Sequence, residues 1–333
     1  MLNVVGLFTG AGALDLGLEA AGFSIPVVLE VDKDACRTLK SNQNSTRPWS
    51  VIEDDIHDTP SREILQRAGL REGETDLLAG GPPCQPFSKS GYWVNGDTKR
   101  LDDPRAHTLT AFLRVLRDMQ PKTFLLENVS GMAYKRKDEA LHFLQRSLTQ
   151  INSEVGTDYS LAMKTLNCAD YGVPQTRERI FLIGSRDGRL FKFPPVTHSD
   201  LARENIVDQR ALTFGQAGVH LEPWTNAWDA IGDLEGAPGE DGLEIKGRWA
   251  DLLPSIPEGQ NCLYHTDRRE GLPLFGWRRR YWSFLLKLAK DRPSWTIQAQ
   301  PGSSIGPFHW KNRRLSTREM MRLQTISATL FPA

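Results

Sequence analysis

The sequence predicts an α/β fold, with a doubly wound, mostly parallel sheet and a second, smaller, irregular lobe. Its 333 residues leave room for a core domain and a smaller lobe. The first half alternates short apolar runs with longer amphipathic stretches, which is typical of strands and crossover helices. After Gly184 this periodicity stops, and glycine, proline and tryptophan become frequent. The second part is therefore expected to consist of short strands and loops.

Six apolar runs have the length of buried strands. The run Phe124-Leu125-Leu126 is apolar on both faces, as expected for a strand covered by helices on each side. The predicted strands are residues 2–8, 27–31, 76–79, 123–126, 161–166 and 180–184. The predicted helices, which carry apolar residues at helical spacing, are residues 14–21, 33–41, 106–119 and 139–151.

Composition excludes several classes of protein. Hydrophobic residues make up 39% and charged residues 25%, which is ordinary for a globular chain. No run approaches the roughly 18 apolar residues of a membrane helix, and the amino terminus lacks the basic region of a signal peptide. The four cysteines are far apart in sequence, which argues against a disulfide framework or a zinc site. We expect a soluble, cytoplasmic protein with free thiols and no metal.

Charge is unevenly distributed although the net charge is zero. Residues 192–258 include 5 basic and 12 acidic side chains, whereas residues 259–333 include 13 basic and 4 acidic ones. A basic final section suggests that a polyanionic partner binds late in the chain. A solvated surface with no such partner remains an equally good interpretation.

A glycine-containing turn and two groups of acids follow the first predicted strands. Gly10 and Gly12 lie between the first strand and first helix, where glycine lets backbone N–H groups approach a ligand. Glu30 and Asp32 end the second strand, and Asp55 follows a further apolar step. Such acids can accept hydrogen bonds from ribose hydroxyls, so an adenosine-type ligand is indicated. The alternative is a tight turn with helix-capping acids.

A rigid loop carries one cysteine. Cys84 follows two glycines and two prolines directly after a predicted strand. The prolines restrict φ and hold the thiol at the carboxyl edge of the sheet, where α/β proteins place their ligand sites. A cysteine is nucleophilic as the thiolate, so such a site must lower a pKa of about 8.5. The alternative, an inert core cysteine, fits this loop poorly.

Glu127 ends the strand that follows the Cys84 strand, and it is predicted to be a site acid rather than a helix cap. Further along, Arg177 and Arg179 precede the strand 180–184. Strand alternation would place these two guanidinium groups on one face, with Glu178 opposite. Two guanidinium groups on one face suit a carbonyl oxygen or a phosphate. A salt-bridged edge strand is the alternative.

In this order, these blocks resemble the cytosine-5 DNA methyltransferase family of the restriction–modification type. A late block that begins at Arg313 and ends at Gln324 resembles the motif after the family's DNA-reading region. The likeness covers residues 2–183 and 294–332. The matching residues are Phe8-x-Gly10-x-Gly12, Glu30, Asp55, Pro83-Cys84-Gln85, Glu127-Asn128-Val129 and Gln175-x-Arg177-x-Arg179.

The resemblance implies a Rossmann-like fold that uses S-adenosylmethionine, and it implies roles for individual residues. Cys84 would attack C6 of cytosine, and Glu127 would contact N3 and the exocyclic amine. Arg179, helped by Arg177, would bind the base. The residues implied to line the cofactor pocket are Phe8, Gly10, Gly12, Glu30, Val31, Asp55, Ile56, Pro83 and Leu109.

The resemblance also implies double-stranded DNA as the partner and a division into three segments. Residues 1–190 would form the catalytic domain, 191–293 the target-recognition lobe, and 294–333 a segment that returns to the catalytic domain. The lobe holds five tryptophans, which we expect mainly in its core, and the run Arg278-Arg279-Arg280. The target cytosine would have to be flipped out of the duplex. A bacterial, nucleoid-associated protein is expected.

The family's last motif, a Gly-Asn segment, is absent from the sequence. We therefore expect either a truncated chain or a second polypeptide that supplies this motif. Two other functions remain open at this stage. One is methylation of cytosine in tRNA, and the other is a DNA-binding subunit without complete catalytic machinery.

Overall fold

The computed structural model describes residues 1–83, 107–129, 139–200, 221–236, 242–277, 282–298 and 302–326. The chain divides into two compact units. The first unit comprises Met1–Leu166, Glu178–Pro194 and Phe331–Ala333. The second unit comprises Asn167–Arg177 and Pro195–Leu330.

A seven-stranded sheet forms the centre of the first unit. Its strands are β1 (Asn3–Leu7), β2 (Ser24–Glu30), β3 (Ser50–Glu53), β4 (Leu77–Gly80), β5 (Thr123–Val129), β6 (Ala162–Asn167) and β8 (Glu178–Ser185). A two-residue strand, β7 (Gln175–Thr176), intervenes in sequence but belongs to the second unit. The strand order is β3-β2-β1-β4-β5-β8-β6. Strands β1 to β5 pair in parallel, and β8 is antiparallel to β5. The predicted mostly parallel sheet is confirmed.

Helices cover both faces of this sheet. They are α1 (Ala13–Ala20), α2 (Lys33–Ser41), α3 (Ser61–Ala68), α4 (His107–Met119) and α5 (Glu139–Val155). Successive residues of β2 bury into different apolar clusters. Val27 and Leu29 join a cluster that includes residues of α3, α4 and α5, whereas Val28 joins one that includes residues of α2. This alternation follows from the two-residue period of a strand and confirms the doubly wound arrangement.

The predicted elements of the first half correspond to observed ones, with two omissions and one correction. The strand β3 and the helix α3 were not predicted, because β3 has just two apolar residues, Val51 and Ile52, and α3 begins at a polar residue, Ser61. The correction concerns the two arginines. The chain ends β7 at Thr176 and begins β8 at Glu178, and the two strands pair with different partners. Arg177 and Arg179 therefore do not share one face of one strand.

The second unit contains short elements. Its strands β9 (His198–Ser199) and β10 (Glu222–Pro223) pair with each other, and β11 (Ser294–Trp295) pairs with β7. Its helices are α6 (Ala227–Ile231) and α7 (Thr317–Arg322), accompanied by 3-10 turns. The irregular secondary structure expected for the smaller lobe is confirmed, whereas its function is not tested by the fold.

The units differ from the expected domains at two points, the first of which is that Asn167–Arg177 groups with the second unit and not with the predicted catalytic domain. The predicted boundary at 190 lies close to the change of unit after Pro194, but residues 294–330 group with the second unit. The sequence predicts instead that this segment returns to the first domain. In the structure, Trp310, Leu315 and Leu323 complete an apolar cluster with Ala227 and Ile231 of α6. The functional roles of the segments stay predictions.

Candidate active site

The carboxyl edge of the parallel strands gathers the predicted site residues of the first unit. Phe8 follows β1, Glu30 ends β2, and Asp54 follows β3. Gly81 follows β4, and Glu127 lies in the last half of β5. Parallel strands open onto the same edge, and ligand sites of α/β proteins form there.

A cavity of about 470 Å³ lies at this edge. Its volume falls within the roughly 300–1,000 Å³ of small-molecule sites. Its lining includes predicted cofactor residues, namely Phe8, Glu30, Val31, Asp55, Ile56 and Pro83. It also includes residues that were not predicted, namely Leu29, Asp54, His57, Gly81, His107 and Thr108. The order of the strands in the sheet, which the sequence does not state, brings these residues together.

The carboxylate of Glu30 holds the glycine turn in place. Its Oε2 accepts a hydrogen bond from Gly10 N at 2.6 Å, and its Oε1 accepts bonds from Val31 N at 2.9 Å and Asp32 N at 2.8 Å. Gly10 has a φ of 56°, and an added Cβ there would meet no atom within 4 Å. A carboxylate has about four acceptor positions, so one remains for a ligand hydroxyl. This arrangement fits the ribose of an adenosine-type cofactor.

Three predicted cofactor residues are not among those that line the cavity: Gly10, which is held by Glu30, and Gly12 and Leu109, which are buried. Gly12 begins α1 with a φ of 90°, and an added Cβ would lie about 3.1–3.2 Å from Leu39 and Trp49. It allows α1 to pack closely on its neighbours. Leu109 is buried in the apolar core below α4. The first turn of that helix instead presents His107 and Thr108 to the cavity.

A buried carboxyl group lies beneath the glycine turn. Burial raises the pKa of Asp15 to about 7, and the nearby charge of Glu19 adds to this effect. Neither Asp15 Oδ1 nor Thr9 Oγ1 has a hydrogen-bond partner within the described part of the chain. Both atoms lie close to Gly6, where an added Cβ would collide with the Asp15 carboxyl. Gly6 thus makes room for this side chain in the floor of the turn.

Glu127 and Arg179 form an ion pair across β5 and β8. In this antiparallel pair Arg179 is opposite Val129 and Glu127 is opposite Phe181, so the two side chains are diagonal neighbours on one face. Arg179 Nε lies 2.9 Å from Glu127 Oε1. The side chains are 16% and 27% exposed, so both remain open to a ligand.

The loop after β4 is held against β5. Asn128 Nδ2 donates a hydrogen bond to the carbonyl oxygen of Pro82 at 3.3 Å, and Asn128 is buried. An added Cβ on Gly81 would lie 3.4 Å from Glu127 Oε2. The backbone that leads into Cys84 is therefore anchored beside the Glu127 carboxylate. Asn128 was not predicted as a site residue, because strand periodicity does not show a bond to a neighbouring loop.

The structure does not test the position of one predicted catalytic residue, and it places another in the second unit. Cys84 lies outside the described residues. Arg177 belongs to the second unit, where its backbone N–H donates to Asn167 Oδ1 at 3.1 Å. In the described part of the chain, no group of three or more His, Cys, Asp or Glu side chains could hold a metal ion.

The sheet, the turn and the cavity define an α/β enzyme that binds an adenosine-type cofactor at the carboxyl edge of its strands. No helix among the described residues is long and apolar enough to cross a membrane. Known proteins with a similar sequence identify the family to which this α/β enzyme belongs.

Residues 2–331 match the family described as C-5 cytosine-specific DNA methylase. The chain is 38% identical to the Type II methyltransferase M.SacI of Streptomyces achromogenes, over 98% of this chain and 84% of that protein. It is also 38% identical to M.AquIA of Picosynechococcus sp., over 73% of this chain and 93% of that protein. The chain therefore belongs to the C-5 cytosine-specific DNA methylase family.

Solved structures agree on the fold. A prophage-encoded E. coli protein assigned as a DNA modification methyltransferase matches 97% of this chain and 88% of its own, with a TM-score of 0.59 and 20% identity. The S. pombe Dnmt2 methyltransferase matches 100% of this chain and 88% of its own, with a TM-score of 0.54 and 14% identity. The family membership makes this protein a DNA cytosine-5 methyltransferase that uses S-adenosylmethionine.

Proposed function

We propose that this enzyme methylates a flipped-out cytosine within a specific duplex DNA sequence, through a covalent bond between Cys84 Sγ and C6 of the base. The observation that carries the proposal is the Glu127–Arg179 pair, which lies beside the backbone that leads to Cys84. The names of the curated relatives, which are Type II methyltransferases, support a specific DNA sequence as the target.

The chemistry begins at the thiol. The Cys84 thiolate adds to C6, and the electron pair of the C5–C6 bond moves into the ring toward N3. Glu127 supports the base at N3 and the exocyclic amine, and Arg179 holds both the Glu127 carboxylate and the base in position. General acid–base assistance of this kind contributes about 10²–10⁴-fold to a rate.

C5 of the resulting enamine is nucleophilic. When bound, S-adenosylmethionine supplies an electrophilic methyl group on a sulfonium centre. Once C5 carries that methyl group, loss of the C5 proton restores the C5–C6 double bond. The C6–S bond breaks with its electron pair, so Cys84 returns as a thiolate. Solvent water takes the C5 proton, so the atoms balance with the methyl donor and water alone.

The chain's own groups fit the cofactor. The cavity has the volume for a nucleoside, and Glu30 retains one acceptor position for a hydroxyl group. Phe8 and Pro83 supply apolar walls, and Asp54 and Asp55 supply acceptors at the rim. We expect these residues to hold S-adenosylmethionine.

Residues 191–293 are proposed to be the target-recognition lobe. Flipping a cytosine out of a duplex costs a few kcal/mol, which contacts to double-stranded DNA must offset. The DNA substrate and the bacterial relatives favour a cytoplasmic, nucleoid-associated protein. The relatives reported above do not support a second polypeptide, which stays a prediction.

Trapping on modified DNA tests the proposal. A duplex library with 5-fluorocytosine in place of cytosine is incubated with the protein and S-adenosylmethionine. Fluorine at C5 cannot leave as a proton, so the C6–S bond persists and a DNA–protein adduct survives denaturing electrophoresis. We expect the adduct with the wild type and with the matched control Cys168→Ser, and none with Cys84→Ser.

Several outcomes would contradict the proposal. An adduct that persists in Cys84→Ser would place the nucleophile elsewhere. DNA binding without any adduct would favour a binding subunit, and methylation of tRNA in preference to DNA would favour the tRNA-acting alternative.

A further inference from the structure

Two neighbouring cavities lie within the second unit. One measures about 630 Å³ and the other about 320 Å³. Gly259, Trp282 and Arg292 line both of them, so these three residues stand where the cavities meet. None belongs to the blocks that resemble the family motifs.

Trp282 is an exposed aromatic side chain on a fixed backbone. It is 49% exposed, and its indole donates no hydrogen bond within the described residues. Its carbonyl oxygen accepts a hydrogen bond from Asn261 Nδ2 at 2.7 Å, and Asn261 is buried. Asn261 Oδ1 in turn accepts from Leu263 N at 3.0 Å. These bonds fix the backbone that carries the exposed ring.

Arg292 has an anchored backbone and a guanidinium group with free donors. Its carbonyl oxygen accepts a hydrogen bond from Ala227 N at 2.9 Å. Its Nε and Nη2 reach the exposed carboxylate of Asp291 at 3.2 and 3.3 Å. Since a guanidinium group has five N–H donors, several remain for a ligand. Gly259 has a φ of 75° and lies beside this side chain, since an added Cβ would lie 3.7 Å from Arg292 Cζ, an ordinary contact distance, and 3.2 Å from Ala289 Cβ.

The charges of the described lining residues favour base edges over phosphates. Arg269 and Arg292 are accompanied by Asp200, Glu258 and Asp291. A phosphate site would be uniformly basic, because its affinity comes from cations that replace counterions. Base edges present both donors and acceptors, so they suit a mixture of guanidinium groups and carboxylates.

We propose that Trp282 and Arg292 are specificity-determining residues that contact bases of the DNA target site. The inference rests on the proposed function and assigns the reading of sequence to this surface. Trp282 packs its exposed ring against a base, and Arg292 directs its free N–H groups at the acceptor edge of a guanine. Neither residue takes part in the methyl transfer.

Other tryptophans of this unit pack against aromatic neighbours and provide a control. Trp228 is 42% exposed, close to the value for Trp282, but its ring packs against Trp310 at 5.9 Å between centroids. Lys290 Nζ covers it at 5.1 Å. Trp249 packs against Phe275 at 5.1 Å. The expectation that the tryptophans are core residues thus fits Trp249 and is wrong for Trp282.

Methylation of random DNA tests the assignment and identifies the target sequence in the same measurement. A random-sequence duplex library is methylated by each variant, and bisulfite sequencing then gives the preferred motif and its rate. The variants are Trp282→Ala, Trp282→Phe, Arg292→Gln and Arg292→Lys, with Trp228→Ala as the control. S-adenosylmethionine affinity and the thermal melting temperature are measured for each.

We expect Arg292→Gln to lose discrimination at one guanine by about 10-fold to 100-fold. Trp282→Ala should lower the rate at the wild-type motif or relax a position next to it, and Trp282→Phe should restore most of the loss. Cofactor affinity should stay unchanged, and Trp228→Ala should keep the wild-type motif.

Three results would overturn the inference. The first is an unchanged motif and rate in both Trp282→Ala and Arg292→Gln. The second is a loss that is uniform over all sequences, which would assign Arg292 to phosphate. The third is the same change of motif in Trp228→Ala. A wild type that methylates no DNA would instead refute the proposed function, so the two failures are distinguishable.

Discussion

The two units of this enzyme position their side chains by different means. In the first unit, the hydrogen-bond register of a seven-stranded sheet sets where Glu30, Glu127 and Arg179 lie. In the second unit, the paired strands are two residues long, and individual side chains fix the backbone, as in the capping boxes of Asn226 and Ser316. Substitutions at the sheet edge should therefore alter chemistry and leave the fold intact, whereas substitutions of the fixing side chains should alter local stability.

The largest expected effect is on the rate of methyl transfer. Glu127→Gln removes the carboxylate but keeps its shape, and we expect the rate to fall by about 10²–10⁴-fold. The melting temperature and cofactor affinity should change little, because Glu127 is partly exposed and is proposed to contact the base and not the cofactor. Single-turnover methylation of DNA measures the rate. The control is Glu178→Gln, one residue before Arg179 on an exposed position, which should retain wild-type activity. A comparable loss in both variants would contradict the assignment.

The second effect is a loss of stability confined to the second unit. Glu319 is 2% exposed and accepts hydrogen bonds from Arg313 Nη1 at 2.8 Å, Arg313 Nη2 at 2.7 Å and Ser316 N at 2.9 Å. Breaking a fully buried charge pair costs about 3–5 kcal/mol, and the loss here should be smaller because Arg313 is 26% exposed. We expect Glu319→Gln to raise amide hydrogen exchange in β11 and α7, with little change in β1 to β5.

A matched control for Glu319 lies on the same helix. Arg322 Nη1 is 2.6 Å from Asp233 Oδ2, but the side chains are 30% and 61% exposed. An exposed pair contributes about 0–1 kcal/mol. Asp233→Asn should therefore leave hydrogen exchange close to that of the wild type. Equal effects of the two substitutions would show that burial does not decide the stability of this unit.

The contrast between the units also explains what the sequence could predict. The strands β1, β2 and β5 can be predicted from their apolar runs, because a strand covered on both faces must be apolar throughout. The positions of Glu30 and Glu127 at one edge can also be predicted, because the carboxyl ends of parallel strands lie at the same edge of a sheet. Asn128 and His107 escaped prediction because their roles depend on contacts with another segment, the loop after β4 and the cavity wall.

In the second unit, the sequence predicted short strands and loops but not the positions of individual side chains. Trp228 lies in α6 and Trp282 in a turn, and both are exposed to a similar degree. The ring of Trp228 nevertheless packs against Trp310, whereas Trp282 lines two cavities. Composition cannot separate these cases, since the difference lies in which distant residue meets the ring. The strand break at Arg177 is similar, because the partner of β7 is β11, more than a hundred residues away.

A third effect concerns pH and has opposite signs in the two units. Burial raises the pKa of Asp15 to about 7, so between about pH 4 and 7 the folded state keeps a proton that the unfolded state has lost. The first unit should thus lose stability as the pH rises through this window. In the second unit, burial lowers the pKa of His309, so the unfolded state gains a proton first and stability falls as the pH drops below about 6.5.

The variant Asp15→Asn tests the first of these signs. It removes the titrating group, so the decline in stability of the first unit between pH 5 and pH 8, about 2–3 kcal/mol in the wild type, should disappear. Hydrogen exchange of β1 and β2, corrected for the intrinsic effect of pH, measures the change. The second unit should keep its wild-type pH profile. A wild-type decline that persists in Asp15→Asn would assign it to another group.

The smallest effect isolates a single cap of the second unit. Ser316 accepts a hydrogen bond from Glu319 N at 3.1 Å, and the Glu319 carboxylate accepts one from Ser316 N, so each residue satisfies a free N–H at the start of α7. Ser316→Ala removes the first bond and should cost about 1 kcal/mol, whereas Ser316→Thr keeps the hydroxyl and should cost much less. Hydrogen exchange of α7 measures both. Because the Arg313–Glu319 contact survives in Ser316→Ala, the loss should be smaller than in Glu319→Gln. A loss as large as that of Glu319→Gln would mean that the cap, and not the buried charge, holds this part of the second unit together.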